Sequence, residues 1–210
     1  MRLKKGVLIV FEGIDGSGKS TQVALLLDAL AKKGISAVSF REPSDSRWGK
    51  EIKKKAVEAG SLRPEEELNL FQRDRKENVE KNLMPSLSEK KIVVLDRYYY
   101  STMAYQGAKG INIEDIRKNN EKFAPLADLV FVLDVDEKLG LKRISNRKVK
   151  DIHFEEKKYL SQVRENFLNI KGKNIIHIDG TQPAEVIHKR IMAMVTEYIK
   201  TQNSKLKAQN

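Results

Sequence analysis

Five short runs of this chain are apolar almost without interruption, and that continuity restricts the fold more than any other feature. They are Gly6 to Gly13 (GVLIVFEG), Ile35 to Phe40 (ISAVSF), Ile92 to Asp96 (IVVLD), Leu129 to Val135 (LVFVLDV) and Asn174 to Asp179 (NIIHID). A strand with one wet face alternates apolar and polar residues, whereas an unbroken Val- and Ile-rich run is a strand covered on both faces. Between the runs lie amphipathic stretches at helical spacing. Thr21 to Lys33 sets Val23, Leu26, Leu27 and Leu30 on one side and stops at Gly34. Pro183 to Lys200 repeats the pattern with Ile187, Ile191, Met194, Val195 and Tyr198. Glu65 to Leu83 is the longest such pattern, with Pro85 as its kink or end. Strand and helix in alternation imply right-handed crossovers. The expected fold is therefore α/β, with a five-stranded parallel sheet flanked by helices in three layers.

No internal repeat or composition break divides the chain. The expectation is one domain over residues 1–200, with 201–210 as a frayed tail. At 210 residues the chain can bury a sizeable core. It has no cysteine, which excludes a disulfide framework, a cysteine nucleophile and a thiolate metal site. The apolar run Val7 to Phe11 is too short for a signal peptide, and no stretch approaches the ~18 apolar residues of a membrane span. The chain therefore reads as soluble and cytoplasmic, with no membrane partner. Its net charge of +11 fits a nucleic-acid binder, a site for phosphorylated small molecules, or a lysine-rich solvated surface. The basic residues are spread along the chain, with short clusters at Lys53 to Lys55, at Arg143 to Lys150 and in the tail, so composition alone names no partner.

Chemistry enters with Gly13-Ile14-Asp15-Gly16-Ser17-Gly18-Lys19-Ser20, which matches G-x-x-x-x-G-K-[ST] between the first strand and the first helix. The glycines let successive N–H groups curl toward an anion, and the helix N-terminus adds its positive dipole end. Lys19 would reach the β- and γ-phosphates of a nucleotide and Ser20 would ligand Mg²⁺. The nucleotide-binding set runs from Gly13 through Asp15, Gly16, Ser17, Gly18, Lys19 and Ser20 to Thr21. A GTPase switch would also carry a base-reading N-K-x-D segment, and none is present. Asp96, ending the third strand, is either a partner of Mg²⁺ or its waters, or an acid paired to a nearby base.

A second constellation follows that strand. Asp96-Arg97-Tyr98-Tyr99-Tyr100-Ser101-Thr102-Met103-Ala104-Tyr105-Gln106-Gly107 gathers a cation, phenols and an amide at the edge of a parallel sheet where ligands bind. Upstream, Phe71 and Arg75 stand four apart on one helical face. An aromatic plate beside a guanidinium suits a planar base with a carbonyl acceptor. Taken singly, Phe71 reads as core and Arg75 as solvated or ion-paired.

With these blocks in view, the sequence resembles the thymidylate kinases, the P-loop enzymes that phosphorylate dTMP with ATP. FEGIDGSGKSTQ (Phe11 to Gln22), REP (Arg41 to Pro43), LFQRDR (Leu70 to Arg75) and DRYYYSTMAYQG (Asp96 to Gly107) carry the likeness. LDV (Leu133 to Val135), the basic LKRISNRKVK (Leu141 to Lys150) and GTQP (Gly180 to Pro183) extend it along the chain. The resemblance implies a P-loop NTPase-type fold with a short basic lid at about 141–155, magnesium with ATP, and a homodimer. It implies that Asp15 meets the acceptor's 3′-OH or its magnesium, and that Arg41 and Arg97 hold the acceptor phosphate. Glu42 and Pro43 belong to the acceptor set through the REP block, and Ser101 through the DRY block. Phe71 would stack on thymine, Arg75 would donate to its O4, Tyr105 would crowd the 2′ position, and Gln106 would line the base pocket. Thr181, Gln182 and Pro183 would border adenine, with Arg143 stacking on its other face. Gly16 and Ser17 stand where one branch of the family carries a catalytic arginine, so transition-state charge falls to the lid: Arg147 first, then Lys148 and Lys150. The catalytic set is then Lys19, Asp15, Arg97 and Arg147. Competing readings are another nucleoside monophosphate kinase, acting on dUMP or AMP, and a nucleotide-dependent nucleic-acid-binding protein.

A phosphate monoester is already anionic at neutral pH and needs no general base, which agrees with the lack of a Ser/His/Asp arrangement. Of the three histidines, His177 reads as core and His153 and His188 as solvent-facing, none with metal-ligand spacing. Met192 and Met194 read as packing or subunit contact.

Overall fold

A computed structural model describes residues 3–58, 62–145 and 154–205 of the chain. Its strands are β1 (Val7–Glu12), β2 (Ala37–Arg41), β3 (Ile92–Asp96), β4 (Leu129–Asp134) and β5 (Ile175–Asp179). They form one parallel sheet in the order β2-β3-β1-β4-β5. Each expected run thus supplies a strand. Every residue of β1 and β3 is buried, as strands covered on both faces require.

Side-chain parity sorts the strands between two layers. Leu8, Val10, Val93, Leu95, Val130 and Val132 face one core, which is covered by α5 (Tyr99–Gly107), α6 (Ile113–Glu121) and α8 (Phe154–Asn169). Val7, Ile9, Phe11, Ile92, Val94 and Phe131 face the other, which is covered by α1 (Lys19–Lys32) and α9 (Ala184–Lys205). The remaining helices are α2 (Arg47–Val57), α3 (Pro64–Asn78), α4 (Met84–Ser88) and α7 (Glu137–Ser145). The three-layer α/β arrangement is the one the strand–helix alternation predicts.

Three details differ from expectation. The long pattern from Glu65 does not end at Pro85: α3 passes through a π-helical turn, Val79–Leu83, into α4. In that turn Met84 donates its N–H to Val79 O, and Pro85, which has no N–H to donate, follows it in the first turn of α4. Residues 201–205, expected to fray, continue α9, and 206–210 lie outside the described residues. His188, expected in solvent, is half-buried with an unpaired Nδ1, and His177 is half-buried with Nε2 3.2 Å from Ile170 O. His153 lies outside the described residues.

Parallel strands bring their C-terminal ends to one edge: Glu12, Arg41, Asp96, Asp134 and Asp179. The chain leaves that edge still in register. Arg97 N–H donates to Phe11 O (3.0 Å), Glu42 N–H to Asp96 O (3.1 Å) and Gly180 N–H to Asp134 O (2.8 Å). Buried Asp74 of α3 accepts from Ser44 N–H (2.8 Å) and from the Ser46 hydroxyl (2.7 Å), while Ser46 caps α2 through Trp48 and Gly49 N–H groups. This clips the turn after β2 onto α3 and sets Arg41 to Pro43 beside the edge.

Candidate active site

The loop between β1 and α1 is shaped by its glycines. Gly13, Gly16 and Gly18 have φ of 133°, 77° and 101°, in the region that penalises a Cβ. At two of them space closes as well: a Cβ on Gly13 would lie 2.5 Å from Leu133 O, and one on Gly16 would lie 2.2 Å from Gly140 O in α7. Lys19 is 6% exposed, and its Nζ donates to Ile14 O (2.9 Å), Gly13 O (3.1 Å) and Ser17 Oγ (3.4 Å). Burial, aided by nearby Arg97, lowers the Lys19 ammonium to about 7 against the pull of Asp15, Asp96 and Glu12. The loop therefore presents a ring of backbone around a cation whose charge an incoming anion stabilises. Ser20 and Thr21 are exposed at the start of α1.

Ser20 Oγ donates to Asp96 Oδ2 (2.7 Å). Asp96 Oδ1 is buried and has no partner among the described residues. A hydroxyl beside a carboxylate with one unspent oxygen suits a hard, oxygen-seeking cation such as Mg²⁺. Among the described residues no group of three or more His, Cys, Asp or Glu side chains could hold a metal without a ligand's help.

Next to the loop, a cavity of about 250 Å³ opens among β1, β2, β3, α3, α5 and α8. Asp15, Arg41, Glu42, Pro43, Phe71, Arg75, Arg97, Ser101, Tyr105 and Gln106 all line it. Residues from four separate blocks of sequence thus meet in one space. The wall also contains Glu67, Tyr98, Thr102 and Tyr159, which the sequence reading missed. Glu67, Phe71 and Arg75 repeat at four-residue spacing along α3, so Glu67 was findable. Thr102 shares the α5 face of Ser101, Tyr105 and Gln106. Tyr159 comes from α8, and no local spacing marked it.

Arg75 is 1% exposed. Its Nε donates to Glu42 Oε2 (2.8 Å), Nη1 to Asn120 Oδ1 (2.6 Å) and Nη2 to Thr102 Oγ1 (3.0 Å), with Nη2 also 2.8 Å from Glu42 Oε2. Glu42 accepts from Asn78 Nδ2 as well (3.2 Å). Burial pushes the Glu42 carboxyl up, while Arg75 opposes it. Glu42 therefore reaches the cavity with both carboxylate oxygens already accepting from the protein. A guanidinium has five N–H groups; three donate to protein acceptors here and Nη2 also approaches Glu42, so among the described residues Nη1 keeps an N–H without an acceptor.

Gln106 is also 1% exposed. Its Nε2 donates to Glu67 Oε2 (2.9 Å), an oxygen that also accepts from Lys109 Nζ. An ionised carboxylate only accepts, so the amide must turn its NH₂ to Glu67. Gln106 Oε1 is then a buried acceptor without a partner among the described residues.

Arg97 sits at φ 72°, a left-handed backbone uncommon for a side-chain-bearing residue. Its Nη2 donates to Asp15 Oδ1 (2.6 Å) and Tyr105 Oη (3.4 Å), and Nη1 to Ser101 Oγ (3.0 Å). Burial works against its charge, but Tyr105, Asp15 and Glu12 outweigh it and hold the guanidinium firmly protonated. Burial likewise opposes the charge on Asp15, yet Arg97 and Lys19 keep its carboxyl below the usual range. Arg41 is exposed at the tip of β2.

On the far side of the loop, Arg143 of α7 donates from Nη1 to Gly16 O (3.3 Å), and from Nη1 and Nη2 to Gly180 O (both 3.1 Å). It ties the phosphate loop to the turn after β5. In that turn Thr181, Gln182 and Pro183 are exposed. Asp179 accepts from Thr181 N–H (2.9 Å), Thr181 Oγ1 (2.6 Å) and Gln182 Nε2 (3.0 Å), bonds that draw its carboxyl down to about 2. Arg147, Lys148 and Lys150 of the expected lid lie outside the described residues.

Comparison with known proteins agrees with this architecture. The family model described as thymidylate kinase matches residues 11–191. A thymidylate kinase of Akkermansia muciniphila is 43% identical over 188 residues, covering 90% of each chain. A probable thymidylate kinase of Archaeoglobus fulgidus is 39% identical over 193 residues, covering 92% of this chain and 96% of its own. One from Leptospira borgpetersenii is 39% identical over 191 residues, covering 90% of this chain and 93% of its own.

Proposed function

Since this chain belongs to the thymidylate kinase family and transfers phosphate from ATP to dTMP to give dTDP, we propose that its own residues divide the work across the sheet edge as follows. The reading is carried by one observation: Asp15 and Arg97 join the phosphate loop to a cavity walled by an aromatic ring and buried amide and guanidinium groups.

On the ATP side, loop N–H groups cradle the phosphates, and Lys19 exchanges its neutral acceptors, Gly13 O and Ile14 O, for phosphoryl oxygens. Arg143 and the 181–183 turn border adenine. Ser20 and Asp96 are the residues that would hold Mg²⁺, directly or through water, and the ion would supply charge neutralisation at the phosphates. On the dTMP side, Phe71 offers its ring to the base, and the remaining N–H on Arg75 Nη1 meets a carbonyl such as O4. Gln106 Oε1 accepts from a ring N–H such as N3–H of thymine. Cytosine has a lone pair at that ring nitrogen, so this carboxamide repels it while admitting thymine and uracil. Tyr105, packed edge-on to Tyr159 and Phe167, narrows the sugar end toward deoxyribose.

The acceptor phosphate lies against Arg97 and Arg41, with Asp15 placed to meet the sugar hydroxyl or the metal's waters. Two anions brought end to end repel, and Lys19, Arg97, Arg41 and the lid offset that repulsion. The phosphate oxygen attacks the γ-phosphorus in line. No protein base removes a proton, because the attacking group is already ionised. Arg147 remains the proposed lid cation, residues 1–200 the proposed domain, and a homodimer the proposed assembly. No helix among the described residues is long and apolar enough to cross a membrane, and a cytoplasmic location is part of the proposal.

Steady-state ADP release with dTMP, dUMP, dCMP and AMP tests the base assignments. The expected order is dTMP first, dUMP next, with dCMP and AMP far behind; dCMP turned over as well as dUMP would sink the Gln106 role. Light scattering tests the dimer.

A further inference from the structure

We propose that Glu12, which is not among the residues lining the cavity, is the positioning residue that aims Arg97 at the acceptor, acting through Ser101 and the first turn of α5. The inference rests on Arg97 as a ligand of the acceptor phosphate.

Glu12 is the last residue of β1, directly before Gly13, and is fully buried. Helix N-termini leave backbone N–H groups without intrahelical partners. The N-cap of α5 is Tyr98, whose side chain caps nothing. The carboxylate from β1 does so instead: Glu12 Oε1 accepts from Tyr98 N–H (2.8 Å) and shares the Ser101 N–H (3.1 Å) with Tyr98 O (3.0 Å). Its other oxygen, Oε2, accepts the Ser101 hydroxyl proton (2.5 Å).

That last bond sets the direction of all that follow. Ser101 has one hydrogen, committed to Glu12, so it can offer only lone pairs to its other neighbour. Arg97 Nη1 donates to it (3.0 Å), and Nη2 is then turned to Asp15 and Tyr105. A guanidinium never accepts and an ionised carboxylate never donates, so with Glu12 ionised the relay runs one way, from Arg97 through Ser101 to Glu12. The same chain of bonds braces the left-handed backbone at Arg97, whose N–H is tied to Phe11 O one residue before Glu12. The residue that ends β1 therefore serves both sides of the cleft: the phosphate loop begins after it, and the helix bearing Ser101, Tyr105 and Gln106 begins on it.

Burial pushes the Glu12 carboxyl up to about 7 despite these donors. A group kept in the interior against such opposition is more readily explained by its bonds to the site than by stability, which an apolar residue would serve better.

The test uses Glu12→Gln, Ser101→Ala, their combination and Arg97→Ala in the full chain. Gln keeps a carbonyl for the two backbone N–H groups, so the start of α5 survives. Its NH₂, however, donates to Ser101 and competes with Arg97 for the same lone pairs. Each of the first two changes is expected to lower kcat/KM for dTMP by about 10- to 100-fold, with KM for ATP within about threefold and the melting temperature at neutral pH not lowered. The combination is expected to be no worse than the worse single change, as links of one relay require. Wild-type kcat/KM in Glu12→Gln alongside a damaged Arg97→Ala overturns the inference. So does equal loss toward ATP and dTMP with a lowered melting temperature, or full multiplication of the two single effects. A harmless Arg97→Ala overturns the reading of Arg97 itself. Should Glu12→Gln not fold, Ser101→Ala decides alone, since it leaves the carboxylate and both backbone bonds in place.

Discussion

The two sides of the cleft are made of different material. On the ATP side the working surface is backbone: three left-handed glycines, a helix start, and a lysine held by carbonyl oxygens. On the dTMP side it is a mesh of buried side chains, with Glu42, Arg75, Asn78, Asn120, Thr102 and Gln106 each no more than 3% exposed. A backbone cradle demands residue types at fixed places but commits little buried charge. A side-chain mesh binds affinity and stability to the same groups, so damage to one damages both.

The sharpest way to break that contrast is at Arg75. Arg75→Met leaves Glu42 as a buried, unpaired acid, and the loss expected is about 3–5 kcal/mol of stability together with weaker dTMP binding. Urea unfolding at neutral pH checks it, and the loss should shrink in acid as Glu42 takes up a proton. Lys19→Ala is the counterpart on the other side. It should lower kcat by about 10²–10³-fold while leaving the unfolding midpoint near wild type, because burial already disfavours the ammonium. A large midpoint shift there would erase the distinction between the sides.

Glu12 belongs to both sides, and pH separates its contributions. In the unfolded chain it titrates near the ordinary 4.5, whereas in the fold burial raises it to about 7. The folded state thus holds the proton more tightly. The associated stability is complete below 4.5 and is lost as pH rises through 7. Glu12→Gln cannot lose it, so its stability relative to wild type should climb between those values, by about 3 kcal/mol at most. A difference that stays flat with pH would show that the acid is not buried in this way. The smallest effect is expected at Phe71→Ala, with KM for dTMP rising about five- to tenfold and KM for ATP unchanged. An equal rise in both would move Phe71 from the pocket wall to the core.

What could be read from sequence follows the same division. The glycine loop is contiguous and its geometry dictates residue identity, so eight letters revealed it. The five strands were legible because continuous burial leaves a continuous apolar run. The mesh was not legible from spacing: Arg75 finds Glu42, Asn120 and Thr102 at separations of 33, 45 and 27 residues. Only the resemblance brought those blocks together, and it named Arg75 without its three partners. Phe71 and Arg75 were visible as one helical face, yet Glu67 one turn earlier was not taken up, because a surface acid on a helix looks like any other.

The approach of Gly16 to Gly140 has an outcome for protein engineering. The family resemblance implies a catalytic arginine in one branch where Gly16 and Ser17 stand, but at position 16 the first atom of any substituent would strike the α7 main chain at 2.2 Å. Grafting that arginine would first require lifting α7 from its seat. With that position closed by the α7 backbone, any further cation for a bound phosphoryl group has to come from outside the loop.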